Sequence, residues 1–157
     1  MTAVKSKEYI MKASRQLLLA ALLCGASLQA FAGTAASISD CWIRALPGDL
    51  PSGGYFKASN SSDQPVNLVG VSADAFGMAM LHQTQSQGST SSMAMVDQVA
   101  VPAHGSLVFA PGNYHVMLEH PKQPLKVGTT IPLTFSFSDG EKVTANCAVK
   151  SAGTMSQ

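Results

Sequence analysis

Charge is what this chain has least of. Asp, Glu, Lys and Arg make up only 12% of its 157 residues, ten cations against nine anions. No basic cluster appears anywhere, so nothing could hold a phosphate backbone and nucleic acid is excluded as a partner. Helical periodicity is missing as well: after the first thirty or so residues, no segment of useful length repeats apolar residues every three or four positions. No nucleophile beside a base and no paired carboxylates stand out, which argues against an enzyme. Nor is there an apolar run long enough to span a bilayer as a permanent helix.

The one compact apolar run, Leu17 to Cys24, follows the short basic stretch Met11-Lys12-Ala13-Ser14-Arg15 and precedes Ala30-Phe31-Ala32. That order is a signal peptide with a small-x-small cleavage site. It predicts export to the periplasm, cleavage after Ala32, a leader over residues 1–32 and a single domain over 33–157. Leu22-Leu23 before Cys24 lacks the small residue a lipid-attachment site wants, so no stable membrane anchor is expected. The leader carries Lys5, Lys7, Lys12, Arg15 and Glu8, which leaves six cations against eight anions, a net −2.

Two cysteines remain, Cys41 and Cys147, one near each end of the exported portion. An even pair in an oxidising compartment reads first as a disulfide; a pair of metal thiolates is the competing reading. A bridge would close a loop of about a hundred residues, for which chain entropy gives roughly 4–5 kcal/mol as an upper figure. It also requires the two strands to be spatial neighbours, with alpha carbons within about 7 Å.

What the chain does have is short runs rich in Val, Phe, Tyr, Ile and Thr, separated by turn residues. Ile38–Arg44 holds the only tryptophan, Trp42, expected to anchor the core. Residues 47–54 carry two Pro and three Gly and read as an irregular connection, before a strand at Tyr55–Ala58. Val66–Val71, Met78–Thr84, Met93–Val101, Ser106–Phe109, His115–Glu119, Ile131–Phe137 and Lys142–Val149 follow, with Asp139-Gly140 as a strong hairpin signal between the last two. The polar stretch Gln83–Ser92 reads as a flexible hairpin loop or rim, and Asn113 as a residue at ease with positive φ. Leu133, Phe135 and Phe137 face one way. Eight or nine strands argue an all-β, single-domain antiparallel sandwich.

Within that scaffold the region from His82 to Met117 collects unusual donors. His82 is followed after ten residues by Met93, and after twenty-one more by His115-Val116-Met117. His115 and Met117 leave the same face of a strand. Neither imidazole nor thioether carries charge when it binds, and thioethers are soft donors that favour Cu(I) over hard cations. Thioethers also survive an oxidising compartment better than thiols, which are lost to disulfides. Met95, two residues beyond Met93, shares its face and is an alternative ligand. Met78 and Met80 read as core filler, and His104 and His120 as surface or hydrogen-bonded residues. Tyr114 supports the rim or covers apolar surface. A blue-copper electron carrier fails on the motif, since Cys147 is followed by Ala148-Val149-Lys150-Ser151 with no His or Met at ligand spacing.

The spacing His82-x10-Met93-x21-His115-x-Met117 resembles the signature of the PCuAC-type periplasmic copper chaperones. Trp42-Ile43-Arg44, Gly53-Gly54-Tyr55, Leu81-His82 before Thr84, Val96-Asp97, Pro111-Gly112 and Pro124-Leu125-Lys126 are similar to the family too. The resemblance implies a cupredoxin-like Greek-key sandwich that binds one Cu(I) through His82, Met93, His115 and Met117. It implies delivery to the copper centre of cytochrome c oxidase subunit II, or to its assembly factors, by a protein expected to be a monomer. Asn113 stands where the family usually has a second Gly. The C-terminal Lys150–Gln157 lacks the His- and Met-rich tail that some members use for a second copper, so the resemblance does not carry an expectation of a Cu(II) site. Copper storage or buffering, and a structural sandwich module without metal, are the alternative functions.

Overall fold

The structure is a computed structural model, described here for residues 34–155; the expected leader and its expected cleavage site lie outside the described residues. Ten strands follow one another: β1 (Ala36–Arg44), β2 (Ser52–Asn60), β3 (Val66–Ser72), β4 (Phe76–Gln87), β5 (Thr90–Met95), β6 (Val99–Val101), β7 (Gly105–Phe109), β8 (Tyr114–Pro121), β9 (Thr130–Phe137) and β10 (Lys142–Lys150). Their hydrogen-bonded order is β5-β4-β8-β2-β1-β10-β9-β3-β6, with β7 on the far part of β2. The sandwich is all-β as expected. It is not wholly antiparallel, because β1 and β10 run parallel, Trp42 beside Ala148 and Arg44 beside Lys150. Periodicity within a strand says nothing about the direction in which the first and last strands meet.

The expected strand Met93–Val101 divides in two. Met95 ends β5 at one end of the strand order, and Val99 begins β6 at the other. Val96–Gln98 therefore carries the chain from one layer to the other. The irregular connection expected over 47–54 also ends early. Ser52, Gly53 and Gly54 pair with Leu118, Met117 and Val116 of β8. Glycine is a poor strand former by propensity, yet pairing on both sides holds the segment extended. The polar stretch after Gln83 forms the expected hairpin, its strands paired almost to the tip. Thr84 pairs with Met93 and Gln87 with Thr90, and Gly88 takes the positive φ of the turn.

One layer's inner face meets the other's over a cluster of rings. Phe56 stacks on Phe109 at 4.3 Å and meets Phe135 at 4.6 Å. Leu133, Phe135 and Phe137 all point into this core, as their spacing requires, joined by Ile43, Leu68, Val116 and Leu118. Cys41 and Cys147 form a disulfide between β1 and β10, their alpha carbons 4.4 Å apart. Trp42 is buried but not in this cluster; alternation with Ile43 puts it on the opposite face, against Tyr55 at 4.4 Å and under the ammonium of Lys150. Tyr114 packs toward the core against Phe109, covering apolar surface.

Candidate metal centre

The β4–β8 ladder places His82 directly opposite His115 and Met80 opposite Met117. Opposed residues in an antiparallel pair share a face, so both imidazoles and Met117 stand on one side of the sheet. Leu81, Val116 and Leu118, which alternate with them along the two strands, fill the core below. The two rings lie 5.8 Å apart between centroids. β5 adds the remaining donors: Met95 opposes His82, and Met93 opposes Thr84. Met93, Thr84, His115, Met117, Arg44 and Tyr55 line one small cavity of about 130 Å³. That volume suits an ion rather than an organic substrate. All four expected ligands thus lie on one face, although His82 does not line this cavity, and Met95 is a single cross-strand step from His82.

The backbone around His115 sets its chemistry. Gly112 takes the positive φ of the turn, not Asn113. Asn113 instead contributes its carbonyl, which accepts the Thr84 N–H at 3.1 Å and lies 3.2 Å from His115 Nδ1. A carbonyl only accepts, so Nδ1 carries the proton and the lone pair is left on Nε2. An outer-shell carbonyl of this kind orients a ligating imidazole. Burial holds the His115 pKa below the ordinary imidazole value, and the His82 and Arg44 charges push the same way, against the Asn113 hydrogen bond. The ring is kept in the neutral form that binds metal. His82 Nδ1 is buried without a hydrogen-bond partner, a cost that an ion at the site would relieve.

A wall of stacked groups supports His115 from the other side. Arg44 lies over the Tyr55 ring at 5.3 Å, and Tyr55 stands 6.4 Å from the His115 ring. Burial raises the Tyr55 pKa, with Arg44 opposing. Gly53 makes this possible: a Cβ there would meet the Tyr55 hydroxyl at 2.5 Å and its ring at 2.8–3.0 Å. The part played by Gly53, the Asn113 carbonyl and Tyr55 escapes a reading of motifs alone, although Gly-Gly before Tyr was a signal of close approach.

Other chemistries fall away on the same geometry. Among the described residues, no three His, Cys, Asp or Glu side chains gather to hold an ion, so a zinc-type site is absent there. The disulfide takes both Cys41 and Cys147 out of ligation, and Cys147 is fully buried. His104 is bonded to Asp63 at 2.7 Å on the surface, and His120 is exposed beside Glu119. Met78 is not core filler; it is 46% exposed.

The profile of one family, described as "Putative lipoprotein LpqE-like", matches residues 36–149. The chain belongs to the LpqE-like family. The matched span starts with β1 and stops one residue short of the end of β10, so both half-cystines and all four donors of this LpqE-like chain fall inside it. "Uncharacterized protein RP573" of Rickettsia prowazekii is 31% identical over 96 residues, 60% of this chain. The chain spans only 53% of the length of that relative. Among solved structures, the "Copper-bound PCuAC domain from PmoF2" is 28% identical with a TM-score of 0.65, over 77% of this chain and 97% of that one. The Cu(I) form of DR1885 from Deinococcus radiodurans is 33% identical with a TM-score of 0.58, over 80% and 83%. The fold of the LpqE-like chain is therefore the cupredoxin-like sandwich of PCuAC domains. Among the described residues no helix is long and apolar enough to cross a membrane.

Proposed function

We propose that this protein is an exported, periplasmic copper chaperone that binds one Cu(I) through His82, Met93, His115 and Met117. The single observation that carries the reading is the opposition of His82 and His115 on a face whose further donors are thioethers. Copper is the cargo here: soft, neutral donors select Cu(I), and lacking thiolates they hold it loosely enough for a stronger acceptor to remove it. The similarity to copper-bound PCuAC domains supports the same assignment. The acceptor is a copper enzyme, and the copper centre of cytochrome c oxidase subunit II, or its assembly factors, is the one the family resemblance implies. The role is carriage, not catalysis.

The deciding experiment is anaerobic Cu(I) titration against a competing chelator, in wild type and Met117→Ala. A clear loss of affinity in the variant is expected; equal binding by the two overturns the reading. A storage or buffering role passes that test, and transfer of the bound ion to an apo acceptor domain separates carriage from storage.

A further inference from the structure

The four ligands proposed above use only two of the strand methionines. Alternation along β4, β5 and β8, with the cross-strand pairs Met80–Met117, His82–Met95 and His82–His115, places Met78, Met80, Met93, Met95 and Met117 all on the face of the two imidazoles. None of them is in the buried core. Methionine serves most often as a core gap-filler, and here, among the described strands, it never does. Met78, Met93 and Met95 are 46–65% exposed, at positions where solvent-facing strands ordinarily carry polar residues. Thioethers gathered in the open beside an imidazole pair call for a use.

Resting on the copper-carrying reading, we infer that a second, weaker Cu(I) position lies beside the first, held by the thioethers of Met78, Met80 and Met117. Met80 and Met117 oppose each other across the ladder, and Met78 is the next residue along β4 on the same face, opposite Glu119. Directly opposed Cβ atoms sit about 4.5–5.5 Å apart, and residues two apart on a strand about 6.6 Å. A thioether on a flexible three-bond stem spans such gaps, so three sulfurs reach one ion. Met117 belongs to both positions. The ion passes from one to the other with Met117 attached: Cu–S bonds to Met80 and Met78 form as the Cu–N bonds to His115 and His82 and the Cu–S bond to Met93 break. Copper stays Cu(I) throughout, and no proton or electron moves, because the imidazoles are neutral before and after. The more exposed all-thioether position is the one from which an acceptor takes the ion.

The test uses the whole exported chain with methionine methyl groups carbon-13 labelled, titrated anaerobically with Cu(I). The first equivalent is expected to move the methyl signals of Met93 and Met117 and the ring signals of both histidines; the second moves Met78 and Met80. The double variant Met78→Leu/Met80→Leu, close in volume and so expected to fold, keeps the affinity of the first equivalent within about threefold and loses the second. It also releases copper to a chelator more slowly, about threefold or more, and takes it up correspondingly more slowly, because the lost position is a waypoint in both directions and the affinity is the ratio of the two rates. Met78 and Met80 signals that stay still through two equivalents overturn the inference, as does a double variant that takes up the second equivalent like wild type. If the first equivalent leaves the His82 and His115 rings unmoved, the four-ligand reading falls too, which separates the two failures.

Discussion

His82 and His115 face each other in register across the β4–β8 ladder, their rings 5.8 Å apart. Two paired strands, not a loop, fix that distance, so the donors are in place before any metal arrives. A shift of one residue in the pairing would send one ring to the other face; the buried Leu81, Val116 and Leu118 between them forbid it. Replacing His82 by Ala is expected to weaken Cu(I) binding by more than the roughly 10–100-fold that loss of an outer-shell partner costs. Chelator competition measures it, and a variant within about threefold of wild type would show that the pair is not the binding centre.

The His115 environment gives a pH signature. Its pKa lies below the ordinary value of 6.5 because burial disfavours the charged ring. In the apo protein this contributes stability above the unfolded-state value; the contribution begins to fade as pH drops past about 6.5 and is gone once pH has passed the lower folded value. Proton competition for copper at this ligand likewise sets in only in the more acid range. An NMR titration of the ring is expected to give a midpoint under 6.5. A midpoint at or above 6.5 contradicts the burial argument.

Much of this was legible before any coordinates. Alternating runs gave most of the strands, and His115-x-Met117 declared a shared face from its spacing alone. The paired cysteines foretold that β1 and β10 adjoin, though not that they run parallel. Where reading failed, pairing overrode local preference: Ser52–Gly54 are extended because β1 and β8 flank them. The hairpin expected over residues 83–92 is paired further than its polar composition suggests, with Gln87 opposite Thr90. Met78 and Met80 depart from the core placement their residue type suggests for a different reason. An apolar side chain is presumed to be buried, and only the register with Met117 and Glu119 shows them on the donor face.

The Cys41–Cys147 bridge closes a loop with a sequence separation of 106. It joins the first strand to the last, which no covalent feature otherwise constrains in the unfolded chain. The double variant Cys41→Ala/Cys147→Ala is expected to lose about 2–5 kcal/mol of folding stability. Urea denaturation under non-reducing conditions measures this. Because both sulfurs point away from the donor face, Cu(I) affinity of the folded variant should stay near wild type; a loss as large as that of His82→Ala would mean the bridge shapes the site directly.

Two glycine replacements test how tightly the wall beside His115 is built. Gly53 and Gly70 are both strand residues without a positive φ, but their surroundings differ. A Cβ on Gly70 meets nothing within 4 Å, whereas on Gly53 it runs into the Tyr55 side chain at 2.5–3.0 Å. Gly70→Ala should therefore be neutral or stabilise by about 0.5–1 kcal/mol through reduced chain entropy. Gly53→Ala must push Tyr55 off its seat, at about 1–3 kcal/mol, and with it the aromatic support of His115 and the stacking of Arg44. It should weaken Cu(I) binding as well as folding, whereas Gly70→Ala leaves binding alone. Thermal denaturation and chelator competition on the two variants check both halves. Equal behaviour of the two would mean that Tyr55 can swing aside freely and plays no part in holding the imidazole.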